Sequence, residues 1–211
     1  MTGQGGLFVK ICGIIRKEDA VFASECGAAA LGFIAYPKSL RFIPVSSAGK
    51  IMMEVPGNIL KVAVFVNPTS DEVAKYIDAG AGVVQLHGDE TAEFAEKTAK
   101  SAEVWKAIRP KTKDDVLKFK GFPASKFLID SSSGNAYGGT GITADWELAK
   151  FAVEALGVAV ILAGGLSPAN VAEAVGQVRP FGIDLSSGVE SSPGIKDHAK
   201  IRKLFEEIKK T

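Results

Sequence analysis

Eight short apolar runs recur along the chain, and they constrain its fold more than any other feature. They occupy residues 7–12 (LFVKIC), 31–35 (LGFIA), 60–66 (LKVAVFV), 82–87 (GVVQLH), 103–108 (EVWKAI), 126–130 (KFLID), 158–163 (VAVILA) and 182–185 (GIDL). Their starts lie 21 to 32 residues apart. The runs are rich in Val, Ile and Phe, as buried strands are. Between them, residues 17–26, 70–78, 90–100 and 145–156 carry apolar side chains at three- and four-residue spacing, the helical period. Residues 46–54 and 113–119 carry weaker helical patterns, and 197–210 closes the chain as a helix with Lys209 and Lys210 near its C-terminus. Ser70 and Thr91 are N-cap candidates, with acids in the first turn. Pro168 behind Ser167 fits a first helical position after a cap.

Strand and helix in alternation, eight times, argue for parallel strands covered by helices. A closed (β/α)8 TIM barrel uses all eight units, whereas a doubly wound open sheet usually has fewer strands and one Gly-rich nucleotide turn. No Pro- or Ser-rich linker divides the 211 residues. The expectation is therefore an α/β protein with a single barrel domain over 7–211, preceded by an N-terminal extension, 1–6, without a role of its own.

Composition narrows the function classes. Lys plus Arg is 25 and Asp plus Glu is 24, a formal charge of +1. That balance gives no electrostatic argument for nucleic acid or an anionic membrane. No apolar run approaches a membrane span, and MTGQGGLFVKIC is not a secretory signal. Two Cys, 14 residues apart, make no disulfide framework and fit a reduced cytoplasmic protein. With His87 and His198 the only histidines, and no HExxH or CxxC, no metal site is expected.

In such a barrel chemistry sits where strands end and loops begin. Cys12 ends the first run, where it either packs or serves as a reactive thiol with a lowered pKa. Cys26, at a helix end before Gly27, reads as structural. Asp130 ends the sixth run, as a loop cap or as an acid made effective by desolvation. Arg41 is either solvated or turned inward, where its planar fork suits a carboxylate or phosphate. His87 donates to a substrate or caps a loop. ILAGGLSPANV and GIDLSSGVESSPG are apolar strands that break into small residues. Placed in units seven and eight, Gly164, Gly165, Ser186, Ser187 and Gly188 suit a phosphate cradle better than mere tight turns. The string GGTGITA (138–144) starts eight residues after its strand and has no acid about 20 residues on, so it reads as a lid rather than a dinucleotide site. Strand alternation adds that Lys10 faces the same side as Cys12. A buried ammonium needs a partner, and Asp184 on the neighbouring eighth strand is the candidate.

Seven blocks, KICGI (10–14), GFIAYPKSLRFI (32–43), VAVFVN (62–67), VVQLHGDE (83–90), YGGTGITADW (137–146), LAGGLSPANV (162–171) and GIDLSSGVESSPGIKDH (182–198), together resemble phosphoribosylanthranilate isomerase. They occur in order over nearly the whole chain. The resemblance implies a (β/α)8 barrel and the Amadori rearrangement of N-(5-phosphoribosyl)anthranilate to 1-(2-carboxyphenylamino)-1-deoxyribulose 5-phosphate in tryptophan biosynthesis. It implies no cofactor and no metal, and a small phosphosugar as the ligand of a monomer or homodimer. It places Cys12 as general base, Asp130 as general acid and Arg41 opposite the anthranilate carboxylate. Asp184 would contact sugar hydroxyls or orient its loop. The rival readings are another phosphosugar-binding barrel enzyme, which would not need Cys12, and a non-catalytic phosphosugar-binding barrel, which would lose the acid/base pair. Ile142 and Ala144 depart from the family, where a Lys and an aromatic residue are usual. For the implied roles the site must hold a protonated carboxyl beside a thiolate, by burial of the acid and positive surroundings for the thiol.

Overall fold

The computed structural model describes residues 6–130 and 146–210. Eight parallel strands, β1 (Phe8–Cys12), β2 (Ala30–Ile34), β3 (Leu60–Phe65), β4 (Val83–Leu86), β5 (Glu103–Ile108), β6 (Lys126–Asp130), β7 (Ala159–Ala163) and β8 (Gly182–Leu185), pair in chain order, and β8 closes on β1. Closure excludes the open doubly wound sheet. The helices are α1 (Lys17–Cys26), α2 (Val45–Glu54), α3 (Ser70–Asp78), α4 (Ala92–Ala99), α5 (Lys113–Leu117), α6 (Trp146–Ala155), α7 (Val171–Val178) and α8 (His198–Ile208). None is long and apolar enough to cross a membrane among the described residues.

The strands are predominantly apolar because both faces are covered. Val9, Ile11, Phe33, Ala63, Phe65, Ile129 and Leu162 pack outward against the helices. Cys12, Ala30, Val62, Val64, Val83, Trp105, Leu128 and Ile161 fill the barrel interior. Parallel pairing puts Asp130 opposite Ala163, Ala163 opposite Asp184 and Asp184 opposite Lys10. This row of the ladder thus carries charged groups from β6, β8 and β1.

Local signals set most helix ends. Gly27, at φ 111°, takes the left-handed C-cap of α1. Thr91 caps α4 as expected, accepting from the Phe94 N–H. The cap of α3 is Thr69 rather than Ser70, because Thr69 forms a reciprocal capping box with Glu72. Pro168 is not the first residue of a helix either. Ser167 organises a turn in which the Asn170 and Val171 N–H groups donate to its carbonyl, and α7 starts only at Val171. The weak pattern over 46–54 is a full helix from Val45, which lacks a side-chain cap and an acidic first turn. One feature has no counterpart in the sequence reading. After β8 come a 3₁₀ turn (Ser187–Val189) and a small antiparallel hairpin, β9 (Glu190–Ser192) and β10 (Ile195–Lys196).

Candidate active site

A cavity opens at the C-terminal ends of the strands, with about 810 Å³ of empty space including its mouth. Its wall includes Cys12, Arg41, His87, Asp130 and Asp184. It also includes Gly164, Gly165, Ser186, Ser187 and Gly188, so the ten residues given catalytic, substrate or phosphate roles from the sequence all line it. GGTGITA, Ile142 and Ala144 lie outside the described residues.

The glycine cradle depends on close backbone approach. Gly164 and Gly165 both take positive φ, 89° and 64°. A Cβ on Gly188 would run into the Leu166 carbonyl, so only glycine lets the loops after β7 and β8 meet. Asn170 fixes the first loop: it accepts from the Ser167 N–H at 2.8 Å and donates to the Gly165 carbonyl at 3.0 Å. The Ser186 hydroxyl is buried without a hydrogen-bond partner.

Asp130 is buried at the end of β6, with Oδ2 3.2 Å from His87 Nε2. Gln85 Nε2 lies 3.5 Å from His87 Nδ1, on the other side of the imidazole. The loop carrying His87 is braced from below. Lys106, itself buried, donates to the Gly88 carbonyl at 2.7 Å and pairs with Glu90 at 2.9 Å, while Arg109 donates to the His87 carbonyl.

Cys12 is buried at the rim of β1. Burial pushes its thiol pKa up, and Asp184 adds to this; Lys10 and Lys196 pull it down without overcoming burial. The positive surroundings expected from the sequence are present. The net direction is opposite to the expected one, because desolvation outweighs the cations. Lys10 is fully buried and donates to Asp184 Oδ1 at 2.9 Å, the pairing expected from strand alternation.

Arg41 turns inward as well, but it is not free for a ligand alone. Its Nε and Nη2 grip Glu190 at 2.8 and 2.6 Å. This fork raises the Arg41 pKa despite burial. Burial works against the Glu190 carboxylate, but Arg41 and Lys196 outweigh it and hold its pKa below the usual range. Lys196 donates to Glu190 at 2.8 Å and to the Ser186 carbonyl at 3.3 Å, tying the hairpin to the cradle.

A family model described as N-(5'phosphoribosyl)anthranilate (PRA) isomerase matches residues 9–207. The chain belongs to this family. An N-(5'-phosphoribosyl)anthranilate isomerase of Geotalea uraniireducens is 45% identical over 95% of this chain and 98% of its own. The crystal structure of the Thermus thermophilus enzyme superposes with a TM-score of 0.88 at 36% identity, covering 97% of this chain and 99% of that one. A further isomerase, solved in complex with reduced 1-(o-carboxyphenylamino)-1-deoxyribulose 5-phosphate, superposes with a TM-score of 0.85 at 37% identity, covering 97% and 100%.

For a member of the isomerase family, the sequence reading passed over four residues that shape the site. Gln85 precedes His87 by one strand repeat, so alternation alone puts both on one face. Glu190 and Lys196 sit in a Gly- and Ser-rich stretch with no period to expose them. Lys106 lies inside an apolar run, where an isolated charge is itself a signal of a buried partner.

Proposed function

We propose that the chain catalyses the Amadori rearrangement of N-(5-phosphoribosyl)anthranilate to 1-(2-carboxyphenylamino)-1-deoxyribulose 5-phosphate, a step of tryptophan biosynthesis, with Cys12 as general base and Asp130 as general acid. The observation that carries the reading is their position. A thiol and a carboxyl reach one cavity from β1 and β6, between a glycine-lined cradle and an inward guanidinium.

Backbone amides around Gly164, Gly165, Ser186, Ser187 and Gly188 hold the phosphate. Arg41, aimed by Glu190, faces the anthranilate carboxylate. Anchoring both ends brings the reacting carbon between Cys12 and Asp130 and removes part of the entropic barrier. Asp130, protonated, gives its proton to the furanose ring oxygen. The C1′–O bond breaks as the anilino nitrogen lone pair forms a protonated Schiff base. This cation acidifies the C2′ proton, which the Cys12 thiolate removes. The resulting enolamine gains a proton at C1′ and loses one from the C2′ hydroxyl, giving the aminoketose. No net redox change occurs, so no cofactor is called for, and metal chemistry has no place in these steps. His87 contacts the substrate and steadies Asp130, and Asp184 meets the sugar hydroxyls beside Lys10. The phosphosugar is the ligand of a monomer or homodimer in the cytoplasm, formed by the barrel over 7–211, with 1–6 an extension outside the chemistry.

The productive form has a proton on Asp130 and none on Cys12, so kcat/KM follows a bell against pH. Loss of the substrate's anthranilate-type fluorescence on adding the purified protein tests the reading directly. Conversion to the aminoketose is expected. No consumption of the aminoaldose by folded protein would overturn it.

A further inference from the structure

Inside the barrel, beneath the thiol, lies a group that the reaction steps above do not use. Lys10 has no solvent exposure. Its ammonium is 2.9 Å from Asp184 Oδ1, and Lys10 stands one strand repeat below Cys12 on the same face of β1. Gly32 on β2, paired with Cys12, gives the two side chains room. A Cβ on Gly32 would stand 2.6 Å from Cys12 Sγ and 3.1 Å from Lys10 Nζ, so thiol and ammonium share one small space.

A lysine is an expensive filler for that space. A methionine would occupy much the same volume without desolvating a charge. If Asp184 needed only a hydrogen bond, a neutral donor would supply it. The ammonium lies beside the one group whose ionised form the chemistry requires, and the two stand one strand repeat apart on β1. We propose that Lys10 is a positioning residue for the isomerisation: its charge, divided between Asp184 and Cys12, stabilises the thiolate of Cys12 within the barrel. This rests on Cys12 being the base.

Other charges act on the same sulfur. Lys196 from the hairpin and Arg41 from the loop after β2 favour the thiolate, and Asp184 from β8 opposes it. Glu190 neutralises part of the charge of both Arg41 and Lys196. His87 and Asp130 share the cavity wall. Lys10 differs in being buried against both Cys12 and Asp184. Its influence always favours the thiolate, and its size depends on Asp184. Removing Lys10 makes thiolate harder to form. Removing the Asp184 charge leaves the ammonium to the sulfur alone and makes thiolate easier to form.

The test is a thiolate titration by ultraviolet absorbance on the free protein, in a Cys26→Ser background with Cys12→Ser as the blank. Lys10→Met is expected to move the Cys12 midpoint up by about one to two pH units, a tenfold or greater loss of thiolate at a given pH. Asp184→Asn is expected to move it down. Lys10→Met strands a buried carboxylate, so the Lys10→Met/Asp184→Asn pair, which leaves no unmatched charge, guards against misfolding. Its midpoint is expected above that of Asp184→Asn alone. A midpoint unchanged between Asp184→Asn and the double variant, or a Lys10→Met variant with only a lowered melting temperature, overturns the proposal. The titration needs no turnover. Full activity of Cys12→Ala would instead sink the general-base reading, so the two failures are distinguishable.

Discussion

The two ends of the barrel are built on different terms. At the N-terminal end Phe8 stacks on Phe181 with ring centroids 5.3 Å apart and meets Trp105 edge-on at 5.9 Å. Glu103 accepts from the Trp105 indole, the Ser125 hydroxyl and Lys126, and the Lys126 ammonium lies over the Trp105 ring. Aromatic area and satisfied polar groups close that floor. At the C-terminal end Gln85 Oε1 and Ser186 Oγ are buried without partners, and a buried thiol shares its space with an ammonium. Such features cost stability, and they cluster where a ligand would supply the missing contacts. On the proposed function the floor serves folding and the mouth binding and chemistry, a division of labour general to this architecture.

Substitutions at the two ends can break that comparison. The largest effect is expected for Asp130→Asn, which should lower kcat about 10²–10⁴-fold with little change in melting temperature; steady-state kinetics beside thermal unfolding would show it. Trp105→Ala should do the reverse, destabilising by about 3–5 kcal/mol in denaturant titration while the folded fraction turns over normally. A kcat loss in Trp105→Ala that exceeds its unfolded fraction would blur the two ends.

A clasp beside the hairpin sharpens the contrast. Asp19 is buried; burial opposes its charge, but Arg16, His198 and the Lys196 N–H outweigh it and hold its pKa below the ordinary value. A depressed carboxylate contributes stability above its unfolded pKa and loses it as pH falls through the folded one. Asp19→Asn should therefore cost about 1–3 kcal/mol near neutrality. The gap between variant and parent melting temperatures should shrink as the medium is acidified below the ordinary aspartate range. A gap independent of pH would contradict the linkage. The smallest of these effects is expected for Arg41→Ala, which should raise KM about tenfold, roughly 1.4 kcal/mol, and lower kcat less. An equal loss in kcat with KM unchanged would place Arg41 in the transition state instead.

The fold was legible because parallel barrel strands are buried on both faces and appear as short, mostly apolar runs. Glu103–Ile108, Lys126–Asp130 and Gly182–Leu185 form strands with the bounds expected of them. The Lys10–Asp184 pair followed from alternation and barrel closure alone. The clamp on Arg41 was not legible. Glu190 lies 149 residues away, on a three-residue strand within a Gly- and Ser-rich stretch, and no local period announces it. Nor could the direction of the Cys12 shift be read. It depends on how desolvation balances Lys10, Lys196 and Asp184, and sequence names the charges without giving the depth of burial.

The central claim is that a thiol and a carboxyl act on one bound sugar, and Cys12→Ala tests it most directly. Its turnover of N-(5-phosphoribosyl)anthranilate should fall about 10²–10⁴-fold. Adding Asp130→Asn should then cost far less than the product of the two single losses, as expected for groups acting as a unit. A Cys12→Ala protein that converts the substrate at the parent rate would contradict the account.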